Sequence, residues 1–478
     1  MSRHSLALLA IVVVAAGIRI AYSVTTGHTT RMVPELGQMA HNIVADGRWF
    51  ERNARAEEYV EALSERQHRL IDPASVDYTG LDAGGQWYPE IGQAVGVGVV
   101  IAGLWAITGS ERYIQIQVFQ GIVDALTVLL VYWIALQLFK RRRAALMAAA
   151  VYAVYPSIAW QTADPYNDIW AVDFTIAIVA LYLVILKSSH RWRWLIACGL
   201  LAGIGAYFRP QVLLIVPVLA LATLALTGWR EALRRALTTT LVASLLLIPW
   251  TIRNYNDFHA FIPTRIDFWE TAWAGLGDMP NDFGGAFTSG SLKAEVHRAQ
   301  PDLVYETPAF DSYAKRYVVR AIERHPLFFL ELLAYRVPLA TLANEDVWMH
   351  RGAVPVFAYK GGLLALVVQR PLDVLEYGLQ PLTFLLALLS LGFTWRRWRA
   401  AHLILVALVL CVLLPYIAIS IEARYLLPAD FAYFIWIGLG ADLLLERIGR
   451  RSDRGVTLAT SAARLEPSPA PPRAALRD

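Results

Sequence analysis

The stretch YIQIQVFQGIVDALTVLLVYWIALQLFKRRR, residues 113–143, joins an apolar run long enough to cross about 30 Å of hydrocarbon to the basic run Lys140, Arg141, Arg142 and Arg143. Basic clusters gather on the cytoplasmic side of membrane helices, so this helix passes inward and its start at residue 113 lies outside. Every other apolar segment takes its direction from this one.

Upstream, residues 5–24 form a span that begins inside beside Arg3 and His4 and places residues 25–112 outside. The segment resembles a signal peptide, but the cleavage chemistry after Tyr22 is weak and many spans follow, so it reads as a retained anchor. Residues 91–108 are apolar, short and glycine-rich, ending at Gly109. A full crossing there would reverse the parity, so the segment reads as a re-entrant or interfacial helix on the outer face. Before it, PELGQMAHNIVADGRWF (34–50) begins helically, and residues 51–70 carry charge at helical spacing, as helices on a membrane surface do.

Downstream, residues 144–162 run outward to TADPYND, and 169–186 return to Lys187, His190, Arg191 and Arg193. Residues 194–226 are too long for one span and break at Phe208, Arg209 and Pro210, which predicts a hairpin with its turn outside and Arg230, Arg234 and Arg235 inside. Residues 237–252 lead out to a second polar segment, 253–372, with an interfacial apolar patch at 327–343. Spans at 374–394, 400–420 and 426–445 complete the set, with basic groups inside at Arg396, Arg397 and Arg399 and at Arg447, Arg450, Arg451 and Arg454. The expectation is an all-α polytopic membrane protein of about ten transmembrane helices, with both termini cytoplasmic. It divides into an N-terminal module (1–252, with external loop 25–112), an external region (253–372), C-terminal helices (373–451) and a disordered tail (452–478).

Composition agrees: 56% of the 478 residues are hydrophobic, 17% are charged and mean hydropathy is +0.43. The net charge of +4 is spread over short topological clusters, which argues against nucleic acid as a partner. Cys198 and Cys411 lie in apolar runs and offer neither a disulfide framework nor a cysteine metal site. Phosphate-loop, zinc-helix and nucleophile-elbow motifs are absent. Asp278 and Asp282, four apart in GLGDMPNDFGG, match no standard calcium loop and read as a turn.

On this topology the candidate site residues share one membrane face: Glu35, Asp164, Asp168, Arg209, Arg253, Lys315, Arg336, Glu422 and Arg424. Ionisable groups beside apolar spans are costly unless paired or facing water, so they are functional candidates. Acids with arginines suit a reaction that expels a phosphate, in which one carboxylate takes a proton from an acceptor hydroxyl and cations hold the leaving group. Each also has a plain reading. Glu35 can favour a helix N-terminus, Asp164 can turn the loop before Pro165, and Asp168 can cap the next helix. Arg209 can close its hairpin by snorkelling, while Glu422 and Arg424 can pair with each other. Arg253 leaves its span on the outer side, against the charge rule.

Several motifs together resemble the bacterial GT-C-fold glycosyltransferases, relatives of the protein O-mannosyltransferases and of the lipid A aminoarabinose transferases. The first is Glu35, Gly37, Met39, Ala40, Ile43, Gly47 and Phe50. In order follow QWYPEIG (86–92), standing where the family has a Tyr-Pro helix start, FRP (208–210), PWTIRNYNDFHAFIPTR (249–265), GLGD (275–278), IERHPLFFLELLAYR (322–336) and EARYLLP (422–428). Many family members carry an acid earlier in the first loop, where this chain has Arg31, Met32 and Val33.

The resemblance implies a GT-C bundle in the inner membrane and a polyprenyl-phosphate-linked sugar as donor. It also implies a cell-envelope acceptor and an external site in which Glu35, with Asp164 or Asp168, activates the acceptor. No metal or other cofactor is expected, because Arg209, Arg253, Lys315 and Arg424 would hold the phosphate. Two alternatives stand beside this reading. A transporter or flippase would show internal repeats and mid-span charges, and a non-catalytic envelope scaffold would tolerate replacement of Glu35.

Overall fold

The computed structural model describes residues 3–25, 34–45, 47–67, 71–78, 80–81, 87–188, 191–281, 283, 289–301, 303–342 and 371–463. The chain opens with α1 (Arg3–Thr25), α2 (Pro34–Ala45), a strand β1 (Glu51–Asn53), α3 (Ala54–Gln67) and β2 (Trp87–Pro89). The central part comprises α4 (Val95–Thr108), α5 (Ile114–Phe139), α6 (Arg142–Val154), α7 (Pro156–Gln161), α8 (Asp168–Lys187), α9 (Arg191–Ala206), α10 (Ile215–Ala222), α11 (Leu224–Thr227) and α12 (Trp229–Phe258). The last part is α13 (Phe268–Gly275), α14 (Ser289–Ala299), α15 (Pro308–Arg324), α16 (Pro326–Leu342), α17 (Pro371–Thr394), α18 (Arg399–Ile419) and α19 (Ala423–Ala463).

Among the described residues, 6 helices are long and apolar enough to cross a membrane: α1, α5, α8, α12, α18 and the first part of α19. The protein is therefore a multi-pass, all-helical membrane protein. By contrast α4, with 14 residues, rises only about 21 Å and is too short to cross unaided. Local chemistry sets the helix ends. Gly109 and Lys140 take left-handed conformations that close α4 and α5. Tyr155 is extended ahead of Pro156, which separates α6 from α7.

Close packing in the bundle depends on small side chains, because lipid gives helices no hydrophobic reason to associate. Ala144, Ala145, Ala148 and Ala149 of α6 are all buried. Against them sits Gly438 of α19, where a Cβ would come within 2.5 Å of the Ala144 carbonyl oxygen. α1 is pinned by its buried Arg19, which pairs with Asp124 of α5 and donates to the carbonyl of Ala153 at 2.8 Å. Tyr152 completes that polar knot by donating to Asp124.

Two small cores lie outside the main one. Ala56, Val60, Ile71 and Tyr78 form one within the first polar loop. Trp273, Leu276, Leu292, Val296, Phe310 and Val318 belong to the other, in the second polar region. The charge-dense stretch 51–70, expected to be wholly helical, starts instead as β1, which pairs antiparallel with β2 in the register Arg52↔Tyr88. Trp87–Pro89, standing where the resembling family has a Tyr-Pro helix start, is the other strand of that ribbon. Residues 452–463, expected to be disordered, continue α19, and 464–478 lie outside the described residues.

Candidate active site

The break at Phe208-Arg209-Pro210 leaves Arg209 extended between α9 and a short 3-10 turn, Pro210–Leu214. There its guanidinium pairs with the carboxylate of Asp168 at the first turn of α8. From α19, Arg424 reaches the same carboxylate at 3.6 Å and Glu422 at 2.6 Å. The Tyr425 ring lies under both cations, 4.3 Å from Arg209 and 5.0 Å from Arg424, and Tyr416 stacks on Tyr425 at 4.9 Å. Sequence-predicted Asp168, Arg209, Glu422 and Arg424 thus converge although they lie up to 256 positions apart in the chain.

Sequence reasoning passed over a further cation at this place, Arg265. It pairs with Asp267 and its guanidinium feels Tyr166, Tyr425 and Tyr416. Burial opposes its charge, but Asp267 and these tyrosines outweigh burial and hold its pKa above the ordinary arginine value. The signal was available: Arg265 ends the PWTIRNYNDFHAFIPTR motif, which the charge reading of the sequence puts outside, so it departs from the charge rule in the same way as Arg253. Arg265 also lines a cleft with Gln93, Pro210, Trp250 and Thr264.

Several buried polar atoms here have no hydrogen-bond acceptor or donor among the described residues: Nε of Arg209, Nε of Arg265, Nε2 of Gln211, Nε1 of Trp170 and the amide of Asn167. Buried polar groups are normally satisfied, so such a concentration, in which Oδ1 of Asn167 is an acceptor and the others are donors, marks a place suited to a polar ligand. Asp164 is fully buried in the loop between α7 and α8. Gln120 donates to its carbonyl at 2.6 Å and Gln161 to its carboxylate at 3.4 Å.

Glu35 belongs to a neighbouring group. It sits half-buried in the first turn of α2, and its charge reaches Arg52, Glu57 and Tyr113. Arg52 of β1 pairs with Glu306 and donates to the Tyr305 carbonyl, so the first polar loop is clasped to the second. Gln93, which lines the cleft beside Arg265, donates to Glu306 at 3.0 Å and thereby connects the two groups. Burial drives the carboxyls of Glu57 and Glu90 above the ordinary carboxylate range, against the pull of Arg52.

Three further candidate site residues, Arg253, Arg336 and Lys315, have other positions. Arg253 donates to the carbonyls of Glu90 at 2.7 Å and Phe50 at 2.6 Å and pairs with Asp257 at 2.9 Å, so it straps the first loop to α12. Arg336 is enclosed: it donates to Asp278 at 2.8 Å and to the carbonyls of Gly275 at 2.6 Å, Ala418 at 3.1 Å and Ile417 at 3.2 Å. Lys315 stands exposed on α15, 5.6 Å from the Trp269 ring, with no ion pair among the described residues. Asp282 lies outside the described residues. Among the described residues no group of three or more His, Cys, Asp or Glu side chains is placed to hold a metal ion.

The helical bundle has the fold of the GT-C membrane glycosyltransferases. It superposes on the oligosaccharyltransferase AglB of Archaeoglobus fulgidus, solved with an inhibitory peptide and a dolichol-phosphate, with a TM-score of 0.54. The superposition covers 95% of this chain and 52% of that one at 14% identity, so the likeness is one of fold. Residues 93–252 match the family described as Dolichyl-phosphate-mannose-protein mannosyltransferase. The undecaprenyl phosphate-alpha-4-amino-4-deoxy-L-arabinose arabinosyl transferase of Pseudomonas aeruginosa is 30% identical over 165 residues, 32% of this chain and 30% of that protein. Its counterpart in Pectobacterium carotovorum is 32% identical over 147 residues, 29% of this chain and 26% of that protein. The chain thus matches less than a third of the length of these relatives.

Proposed function

We propose that this protein transfers a sugar from a polyprenyl-phosphate donor to a hydroxyl acceptor of the cell envelope, on the outer side of the inner membrane. The observation that carries the reading is the pairing of buried Arg209 and Arg265, whose Nε donors have no acceptor among the described residues, with acids at the loop end of the bundle. A phosphate brings several acceptor oxygens and negative charge to such donors. The family match over residues 93–252 supports the same class of chemistry.

In the proposed reaction the acceptor oxygen attacks the anomeric carbon. The bond from that carbon to the phosphate oxygen breaks and leaves its electron pair on the lipid phosphate. The acceptor's proton passes to Glu35, a partly exposed acid in the first turn of its helix. Asp168, held by Arg209 and Arg424, positions those cations instead of taking the proton. Arg209, Arg265 and Arg424 stabilise the departing phosphate, a role that needs no bound metal. Both termini are cytoplasmic in this reading.

The test is transfer of radiolabelled sugar from a panel of polyprenyl-phosphate sugars by membranes carrying wild type or Glu35→Gln, with free sugar counted for water as acceptor. The expected loss in kcat is about 10²–10⁴-fold, the usual contribution of a general base, with donor binding retained and wild-type activity surviving chelator. Equal activity of the variant would move the base to Asp164 or Asp168. Failure of wild type to turn over any donor would overturn the transferase reading.

A further inference from the structure

The candidate site occupies one end of α1 and α5, and their opposite ends enclose a groove that the proposed reaction does not use. Leu8, Leu9 and Val12 of α1 face Leu126, Leu129 and Leu136 of α5 across a cavity of about 450 Å³. Apart from Tyr132 and Ser5 its lining is apolar until its mouth, where His4 and Arg142 stand with no acid among the lining residues. Both are exposed and have no ion-pair partner among the described residues, and Arg3 and Arg143 lie exposed beside them. We propose that this groove binds one anionic phospholipid of the cytoplasmic leaflet, with an acyl chain between α1 and α5 and the phosphate at Arg142 and His4.

Dimensions and charge both favour this occupant. From Leu126 to Leu136 the helix rises about 15 Å, half the thickness of the hydrocarbon core and so the depth of one leaflet. Basic pockets between membrane helices on the cytoplasmic side attract acidic headgroups. The donor's phosphate is not this ligand. Gln120, which holds the Asp164 loop, lies about 24 Å along α5 from Leu136, so a phosphate bound at Arg209 and Arg265 cannot also reach Arg142. A polyprenyl tail entering from that end would bring no charge to the basic mouth.

The inference stands apart from the transferase reading and is tested without an activity assay. Full-length protein is delipidated in detergent, titrated with dioleoylphosphatidylglycerol or dioleoylphosphatidylcholine, and examined by native mass spectrometry. Wild type should retain one phosphatidylglycerol in preference to phosphatidylcholine. Arg142→Gln, at an exposed position, should weaken phosphatidylglycerol retention about fivefold, the effect of one basic residue near an anionic membrane surface, and leave phosphatidylcholine unchanged. Leu129→Trp, which fills the groove from its exposed side, should lower retention of both lipids. Equal retention of the two lipids by wild type, unchanged retention by Arg142→Gln, or displacement of bound phosphatidylglycerol by polyprenyl phosphate would each overturn the proposal.

Discussion

Arg265 shows how one side chain can be set up to act on a ligand. Asp267 neutralises it and nearby tyrosines surround it, so its buried charge is tolerable before any ligand arrives. Its Nε nevertheless has no acceptor among the described residues, and it lines the cleft that also holds Gln93. Arg209 shows the same combination, an acid on one nitrogen and an unused donor on another. If both donors point at the leaving phosphate, Arg265→Gln should lower kcat/KM for the lipid donor by about tenfold to a hundredfold, the span of one hydrogen bond to a charged group. Arg265→Lys should recover part of the loss, since it keeps the charge and gives up the planar fork. Initial rates against donor concentration measure both variants, and wild-type kinetics in Arg265→Gln would remove this residue from the site.

Among the elements, the contact between Gly275–Asp278 at the end of α13 and the segment Ile419–Ile421 holds the backbone just ahead of Arg424. Arg336 of α16 binds Asp278 and three carbonyls around that junction, while Asp278 also accepts from the Ile421 amide at 3.4 Å. A Cβ at Gly275 would come within 2.1 Å of the Ile419 carbonyl oxygen, so the two backbones touch there. Arg336→Met strips one partner from a buried pair and should cost about 3–5 kcal/mol of stability. Gly275→Ala should force the junction apart and reduce transfer while leaving the bundle folded. Thermal unfolding in detergent and transfer assays separate the two effects, and a Gly275→Ala protein with full activity would show that the junction does not position Arg424. This clamp also marks the limit of sequence reading. The apolar runs mark where the long apolar helices fall along the chain, because the bilayer demands length and hydropathy, and the Asp168–Arg209–Arg424 contacts join the ends of such helices. That Arg336 and Arg253 spend their donors on carbonyls depends on backbone paths with no local pattern. The β1–β2 ribbon was hidden for a similar reason: three residues are too few to show an alternation against the helical spacing of Ala54–Gln67.

For the molecule as a whole, the decisive contact is the clasp between its two polar regions, and that clasp responds to pH. Arg52 and Gln93 of the first loop hold Glu306 of the second, with Glu57 and Glu90 buried beside them. Burial costs an ionised carboxylate more than a neutral one, and a single arginine surrounded by Glu306, Glu57, Glu90 and Glu35 cannot satisfy them all. The carboxyls of Glu57 and Glu90 therefore titrate above their ordinary range in the folded protein. The folded state then holds protons that the unfolded chain has released. Stability from these groups is fully present below the ordinary carboxylate pKa and is lost as pH rises through the raised folded values. Arg52, whose own pKa is raised, stays charged across that window and adds no pH dependence. Replacing Glu57 and Glu90 by Gln removes the titration while retaining polar side chains of similar size. The unfolding temperature of wild type should accordingly fall more steeply as pH rises above the ordinary carboxylate range than that of the Glu57→Gln/Glu90→Gln protein. Acids away from the clasp contribute equally to both proteins, so the difference of slopes isolates the clasp with its coupled neighbours Glu306 and Glu35. Parallel curves would mean that water reaches these carboxylates and that the two loops part more readily than their packing implies.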